Sequence, residues 1–276
     1  LEDLQSYIFR IVDTLLTPQK ISRKNLLGMG IGVSGLVDYR NGVIVNTALM
    51  GKVPVSLKAA LDKHYDFPIL VENDANAAAM CEKWYGKGKN ISDLIYMLLV
   101  MDQHVFGVGY GLYLEDQIYR GAHMFAGETA PQPISIKQML EKVAPEYGGE
   151  VLLNGRSLPK ERVTLQDLID AALNHDSLAI RYFQELAKIV ARELAHIINL
   201  LDPEMILLGG EVSKVGDLLL NAVRSELKAD ARARVSNDLD VKIETSTVVD
   251  AVAMGATTLI LQNIFKSPVL QAKNYL

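Results

Sequence analysis

Cysteine is almost absent from this sequence, which has a single one, Cys81, among 276 residues. One cysteine excludes an internal disulfide and a cysteine-rich zinc site. No apolar run is long enough to cross a bilayer and no signal peptide is recognisable, so we expect a cytoplasmic protein without a membrane span. Basic residues are too few for a nucleic-acid surface, because the sequence has 28 Lys and Arg against 33 Asp and Glu, which gives a net charge of −5.

The rest of the composition is that of a folded globular protein, with 49% hydrophobic and 22% charged residues. A chain of 276 residues can bury one large core or two of medium size. Stretches with strand and helix periodicity alternate along it, which predicts an α/β protein with mixed sheets. No repeat, low-complexity tract or flexible linker separates its parts.

Two early stretches combine apolar residues with glycine. Residues 26–33 predict a buried strand, in which the glycines at positions 28, 30 and 32 leave one face without side chains. That face allows close approach of another backbone or of a ligand. The pair Asn41-Gly42 then predicts a hairpin between two short strands.

Three polar residues directly follow the next buried strand. The strand is predicted over residues 67–71, Glu72, Asn73 and Asp74 come after it, and an alanine-rich helix is predicted from 76 to 85. Ligands of open α/β sheets bind where strands end in this way. Alternatively, Asp74 only caps the helix, since its carboxylate can accept hydrogen bonds from the first free N–H groups.

The second half of the chain is predicted to contain a long helix, a short strand and a final helix. The long helix extends to residue 201 with Ser177 as its cap, and the strand covers residues 205–208. The last helix runs from 251 to 265. Its small residues Gly255 and Ala256 permit close packing against a neighbour.

Five ordered segments of the sequence together resemble the ROK family, which contains sugar kinases and sugar-responsive transcriptional repressors. The likeness covers nearly the whole chain, and five segments in a fixed order are far more specific than one glycine pattern. The segments are residues 30–38, 71–79, 119–128, 202–213 and 251–256.

The resemblance implies an actin/hexokinase-like ATPase fold, also called ribonuclease H-like, with two lobes and mixed sheets. We expect residues 1–120 to form the first α/β lobe, 121–250 the second, and 251–276 a C-terminal helix that packs back on the first. The glycine-rich N-terminal hairpin of the family's kinases has no counterpart ahead of the first predicted helix in this sequence. The N-terminal strands of the first lobe are therefore expected to be missing from this chain.

The resemblance also implies roles for four polar residues. In the family's kinases, the residue at the position of Asp74 is the catalytic base, which takes a proton from a sugar hydroxyl as that oxygen attacks the γ-phosphate of ATP. Asn73 and Glu128 would hydrogen-bond sugar hydroxyls. Asn46 keeps the first asparagine of a sugar-binding segment, although Leu49 and Lys52 depart from the family pattern.

Two phosphate-side loops of the kinases look degenerate in this sequence. The family's Gly-Thr-Gly loop aligns with Val105, Phe106 and Gly107, so two bulky apolar side chains replace a hydroxyl donor and a small residue. Gly209 and Gly210 resemble the adenosine-side loop, but a tight strand-to-helix turn requires glycines as well. We therefore expect no MgATP cofactor.

The family's zinc site is also expected to be absent, because Pro131 stands at the position of its histidine and no cysteine follows Cys81. These departures favour the effector-binding and dimerisation part of a ROK-type regulator of carbohydrate metabolism. Such a homodimer would bind a sugar or sugar derivative without phosphorylating it, and would contact operator DNA through a winged helix-turn-helix outside this chain. A sugar kinase with Asp74 as base is the alternative, and a scaffold that binds neither sugar nor ATP is the third.

Overall fold

The computed structural model describes residues 2–17, 21–47, 54–101, 105–129, 134–229 and 241–265. Its helices are α1 (Glu2–Leu16), α2 (Leu57–Leu61), α3 (Asp74–Tyr85), α4 (Ile136–Val143), α5 (Leu165–Leu173), α6 (Ser177–Leu201), α7 (Asp217–Ala229) and α8 (Ala251–Phe265). Its strands are β1 (Met29–Val33), β2 (Leu36–Asp38), β3 (Val43–Asn46), β4 (Ile69–Asn73), β5 (Leu94–Met101), β6 (Phe106–Leu114), β7 (Gln117–Ile118), β8 (Glu150–Leu153), β9 (Arg156–Pro159), β10 (Met205–Gly209) and β11 (Lys242–Thr245). Within these ranges no helix is both long and apolar enough to cross a membrane. Leu49, Lys52 and Pro131 lie outside the described residues.

A two-stranded parallel sheet brings the glycine-rich and polar-rich segments of the first half together. β1 pairs with β4 in a register that ends with Val33 opposite Asn73. Because parallel strands end at the same edge of a sheet, the turn after Val33 lies beside the end of β4. The hairpin predicted at Asn41-Gly42 is confirmed, since β2 and β3 are antiparallel and Gly42 has a φ of +61°.

The larger sheet has five strands in the order β11-β10-β5-β6-β7. β10 is parallel to both of its neighbours, whereas β6 is antiparallel to both β5 and β7. This mixed sheet packs against α6 in the main hydrophobic core, where Tyr182, Phe183 and Leu186 are fully buried. Strands from both sides of residue 120 therefore belong to one sheet, while the predicted lobe limits themselves stay a prediction.

The glycines of β1 and α8 fit places where two backbones approach closely. A Cβ atom at Gly30 would lie 1.9 Å from the carbonyl oxygen of Ala256, and one at Gly255 would lie 1.7 Å from that of Ala77. Main-chain atoms cannot move aside as a flexible side chain can, so only glycine fits at either position. The predicted close approach at the glycine face of β1 and at Gly255 is confirmed.

The cap of the long helix differs by one residue from the prediction. Asp176 is the N-cap of α6, and its Oδ1 accepts hydrogen bonds from the N–H groups of Leu178 at 2.9 Å and Ala179 at 3.1 Å. Ser177 is the first helical residue instead. Both residue types are good caps, so composition alone does not separate neighbouring candidates.

Candidate functional site

The junction between β4 and α3 is built around Asn73. This residue ends the strand in an extended conformation, and its side-chain Oδ1 accepts a hydrogen bond from the N–H of Asn76 at 3.0 Å. Asn73 is therefore the N-cap of α3, and the interpretation of Asp74 as the cap is wrong. Asp74 is the first residue of the helix, where its Oδ1 accepts from the N–H of Ala75 at 2.8 Å. The positive end of the helix dipole favours a carboxylate there.

The structure brings Asn73 and Glu128 into direct contact although 55 residues separate them. The side-chain Nδ2 of Asn73 donates to Oε1 of Glu128 at 2.6 Å and to the carbonyl oxygen of Gly35 at 3.3 Å. One amide thus caps the helix through its oxygen and joins two other segments through its nitrogen. Its geometry allows this because an asparagine side chain is both acceptor and donor.

Glu128 is placed by the close approach of its segment to β6. The N–H of Tyr110 donates to the carbonyl oxygen of Gly127 at 2.9 Å, and Glu128 forms an antiparallel bridge with Gly109. Gly127 has a φ of +90°, and a Cβ atom on it would lie 2.0 Å from the carbonyl oxygen of Tyr110. Glycine at 127 is therefore needed for Glu128 to reach Asn73.

Both carboxyl groups of the cluster have raised pKa values, mainly because they are buried. Burial raises the pKa of Asp74 above its ordinary value, although hydrogen bonds from the N–H of Ala75 and the Ser34 hydroxyl offset part of this. Burial and the negative charge of Asp74 raise the pKa of Glu128. Two acids that share a partly dehydrated site bind protons more readily than isolated ones. They also offer acceptor oxygens to any hydroxyl that enters.

Ser34 is a site residue that sequence reasoning missed. It follows the last residue of β1, is exposed, and its hydroxyl donates to the carboxyl group of Asp74. The signal that could have found it is the parallel pairing of β1 with β4, because the residues after two paired strands meet at one edge.

Asn46 lies at the end of β3, paired with Leu36 of the hairpin. Its main chain borders Gly35, since a Cβ atom on Gly35 would lie 2.3 Å from the carbonyl oxygen of Asn46. Gly35 is also the residue whose carbonyl accepts from Asn73. Asn46 is thus one residue removed from the polar cluster, and its role in binding stays a prediction.

The first of the two loops assigned to phosphate is occupied by a core residue. Phe106 begins β6 and is completely buried in the main hydrophobic core. Val105, before it, is half-buried, and a Cβ atom at Gly107 would meet only Val100, at 3.9 Å. A buried phenyl ring offers no hydrogen-bond donor to a phosphate, and Gly107 is not required by packing.

The second loop, at Gly209 and Gly210, packs against Tyr96. A Cβ atom at Gly209 would lie 1.9 Å from the hydroxyl oxygen of Tyr96, and one at Gly210 would lie 2.2 Å from the carbonyl oxygen of Leu99. Gly210 also has a φ of +85°. Burial raises the pKa of Tyr96 to about 12, and its hydroxyl accepts from the N–H of Gly210. Packing alone therefore accounts for both glycines, and a nucleotide-binding role for them stays a prediction.

Among the residues that the structure describes, no three or more His, Cys, Asp or Glu side chains are grouped closely enough to hold a metal ion.

The family model described as "ROK family" matches residues 2–263. The chain belongs to the ROK family.

Members of the ROK family with different names resemble this chain to a similar degree. The xylose repressor of Caldicellulosiruptor bescii is 26% identical, covering 97% of this chain and 70% of the repressor. The glucokinase of Halalkalibacterium halodurans is 29% identical, covering 85% and 76%. A solved ROK family transcriptional regulator, a homolog of the E. coli MLC protein, matches with a TM-score of 0.77 at 19% identity, covering 96% of this chain and 69% of that one.

The solved structures confirm the expected actin/hexokinase-like fold, because ROK regulators and ROK sugar kinases both match this chain over most of its length. The relatives also support a sugar-related function. Since both repressors and glucokinases are among them, the relatives do not separate the two roles.

Proposed function

We propose that this chain is the effector-binding part of a ROK-type transcriptional regulator of carbohydrate metabolism. It binds a sugar or sugar derivative and does not phosphorylate it. It works as a cytoplasmic homodimer that contacts operator DNA through a domain outside this chain. The observation that carries the proposal is a contrast: the polar cluster of Asn73, Asp74 and Glu128 is assembled, whereas Phe106 fills the phosphate-side loop with a core side chain.

The polar cluster suits a polyhydroxylated ligand. Neighbouring hydroxyls of a sugar each donate one hydrogen and accept others, so they pair well with carboxylate and amide groups. Asp74 and Glu128 supply acceptor oxygens, and Ser34 lies at the same edge with a hydroxyl. Binding of a ligand that prefers one of two dimer conformations would shift their populations and thereby the affinity for DNA.

The residues present do not fit MgATP or zinc. Phosphoryl transfer needs donors placed around the γ-phosphate, and Phe106 supplies an apolar ring that lies in the core. Zinc in this family uses cysteines, and the chain has only Cys81, which is buried.

A thermal-shift screen tests the sensing function. The chain is heated with simple sugars, amino sugars and sugar phosphates, each with and without MgATP. A ligand present at about 100 times its dissociation constant adds about 2.7 kcal/mol to the free energy of unfolding, which raises the melting temperature visibly. We expect a shift that is the same with and without MgATP and that disappears in Asp74→Ala.

Glu161→Ala is the control for that screen, because Glu161 is an exposed carboxylate after β9 that pairs with Lys137. It should keep the full shift. A shift that requires MgATP would contradict the proposal. Absence of any shift in a folded wild-type chain would favour the scaffold that binds neither ligand.

The second candidate function is a sugar kinase, favoured by one observation: Asp74 lies at the start of α3 with a raised pKa, as suits a base that must accept a proton. This function predicts sugar phosphorylation that depends on MgATP and is lost in Asp74→Asn. The DNA-binding function is tested separately, by measuring whether the full-length protein binds operators near sugar-utilisation genes and whether the sugar changes that affinity.

A further inference from the structure

Glu72 is a buried carboxylate whose two oxygens are both used. It is 2% exposed. Oε1 accepts hydrogen bonds from the N–H of Asn73 at 3.0 Å and from Nδ2 of Asn76 at 3.1 Å. Oε2 accepts from Nε and Nη2 of Arg120, the former at 2.9 Å. A charge withdrawn from water in this way is tolerated only when it is paired and hydrogen-bonded.

Arg120 connects three separate segments of the chain. Its guanidinium group pairs with Glu72 at the end of β4 and lies over the ring of Tyr39, 3.9 Å from the centroid, in the turn between β2 and β3. Its main-chain carbonyl accepts from the N–H of Ala126 at 3.1 Å, which closes the turn that leads to Glu128. The same residue therefore fixes the segment carrying Glu128 and ties it to the strand carrying Asn73.

The two groups of this pair are directed mainly at each other and not at the polar cluster. Glu72 is buried and its oxygens are occupied, while Arg120 donates twice to a single carboxylate oxygen. Each nevertheless supports a residue that the proposed site needs. Glu72 accepts a hydrogen bond from the N–H of Asn73, and Arg120 begins the segment that ends in Glu128. A planar, two-donor arginine is well suited to fixing such a geometry.

We propose that Glu72 and Arg120 are positioning residues of the ligand site. They hold the Asn73 side chain against Glu128, and the site loses affinity when the pair is broken although neither residue touches the ligand. This inference rests on the proposed sugar-binding function. Its structural half, the placement of Asn73, can be measured without any ligand.

Arg120 borders a cavity of about 160 Å³, lined also by the polar side chains of Tyr39, Gln117, Gln262 and Asn263. Space beside the guanidinium means that a shorter cation at this position can be accompanied by water. Arg120→Lys therefore keeps the charge while losing the two-donor geometry, whereas Arg120→Met loses both.

Lys83 offers a control in which the cation is similarly buried but its partner Asp116 is exposed. The Lys83 side chain is 15% exposed, against 19% for Arg120, and it pairs with Asp116. It also lies over an aromatic ring, 5.1 Å from the centroid of Tyr113. Lys83→Met thus removes a comparable cation that joins α3 to the turn after β6, but not one that contacts Asn73 or the Glu128 segment.

The test compares sugar affinity across Arg120→Met, Arg120→Lys, Glu72→Gln and Lys83→Met by calorimetric titration of the folded chain. We expect Arg120→Met and Glu72→Gln to weaken binding by about tenfold or more, as is typical for residues that orient a direct ligand contact. Arg120→Lys should recover part of the affinity, and Lys83→Met should change it by less than about twofold. Equal losses in Arg120→Met and Lys83→Met would overturn the proposal, because they would reflect general destabilisation.

Amide hydrogen exchange of the ligand-free proteins gives the second readout. The N–H groups of Asn73 and Asn76 should exchange faster in Arg120→Met than in wild type. In Lys83→Met their exchange rates should equal those of wild type. Unchanged exchange in Arg120→Met overturns the positioning role. If wild type binds no sugar, the proposed function fails by itself, and the exchange measurement still decides whether the pair positions Asn73.

Discussion

Two segments of this chain that the family resemblance assigns to one reaction have different physical characters. At the β4–α3 junction, polar side chains from three segments meet, Asn73 contacts Glu128, and the pKa values of both carboxyl groups are raised. At the start of β6, by contrast, Phe106 is buried among core side chains. In the function proposed above, the first segment recognises a sugar, while the second offers an apolar ring where the family's kinases hold a phosphate. In that proposal, recognition and phosphoryl transfer are therefore separable parts of one scaffold.

The largest effect is expected from the apolar side of this comparison. Phe106→Ala removes a fully buried ring and leaves a cavity, which should lower the free energy of unfolding by about 3–5 kcal/mol in urea titration. Phe106→Leu should cost much less, because it keeps most of the apolar volume. A small loss in Phe106→Ala, or gain of ATP binding by either variant, would contradict the assignment of this residue to the core.

The next largest effect is expected from replacing the glycines of the two loops, which should differ in how much stability they cost. Gly210→Ala places a Cβ atom 2.2 Å from the carbonyl oxygen of Leu99 in a left-handed conformation, and should cost about 1–3 kcal/mol of stability. Gly107→Ala meets no atom closer than 3.9 Å and should stay within about 0.5 kcal/mol of wild type. Thermal or urea unfolding of both variants measures this difference. Equal losses of stability in the two variants would contradict the open space that the structure has beside Gly107.

On the polar side, Asn73→Ala should have two separable consequences. Loss of the cap of α3 should cost about 1 kcal/mol of stability, and loss of Nδ2 should abolish sugar binding. Asp176→Ala is the matched control, since it removes the N-cap of α6 and should cost a similar stability with no change in sugar affinity. If both variants retained the sugar shift, Asn73 would be a cap and nothing more.

A smaller effect is expected in the pH dependence of stability. Because the pKa of Asp74 is raised in the folded state, the native chain binds more protons than the unfolded chain, and its contribution to stability falls as pH rises from the ordinary value of 3.8 through the raised value. Asp74→Asn should therefore gain in melting temperature relative to wild type as pH rises through this window.

Asp167→Asn should show the opposite trend in the same melting series. The side-chain hydrogen bond from Thr164 lowers the pKa of Asp167, so its contribution is present above the ordinary value of 3.8 and is lost as pH falls through the lowered value. The variant should lose melting temperature relative to wild type as pH rises. The same trend in both variants would contradict the raised pKa of Asp74.

The features that could be predicted from the sequence are those carried by short patterns. The Asn41-Gly42 hairpin, the glycine face of β1 and the close packing at Gly255 each depend on a few adjacent residues and one physical reason. The family resemblance supplied the polar residues, and the fold was confirmed with it. The cap residues were each misplaced by one position, since Asn73 and Asp74, like Asp176 and Ser177, are all good caps.

Long-range pairing could not be predicted in the same way. The contact of Ser34 with Asp74 depends on the parallel register of β1 and β4, and the pairing of Glu72 with Arg120 joins residues 48 positions apart. Gly209 resembles a residue of the family's adenosine-side loop, and the sequence pattern did not reveal that the Tyr96 hydroxyl lies beside it. In each case the deciding partner lies in another element, so no local pattern names it.

The central claim is that this chain binds a sugar without transferring phosphate to it. The most direct measurement is a ³¹P NMR time course of the chain with MgATP and a sugar that has produced a thermal shift. We predict that the ATP resonances persist unchanged and that no sugar phosphate forms. Growth of a sugar phosphate signal that is absent in Asp74→Asn would contradict the account and establish a kinase.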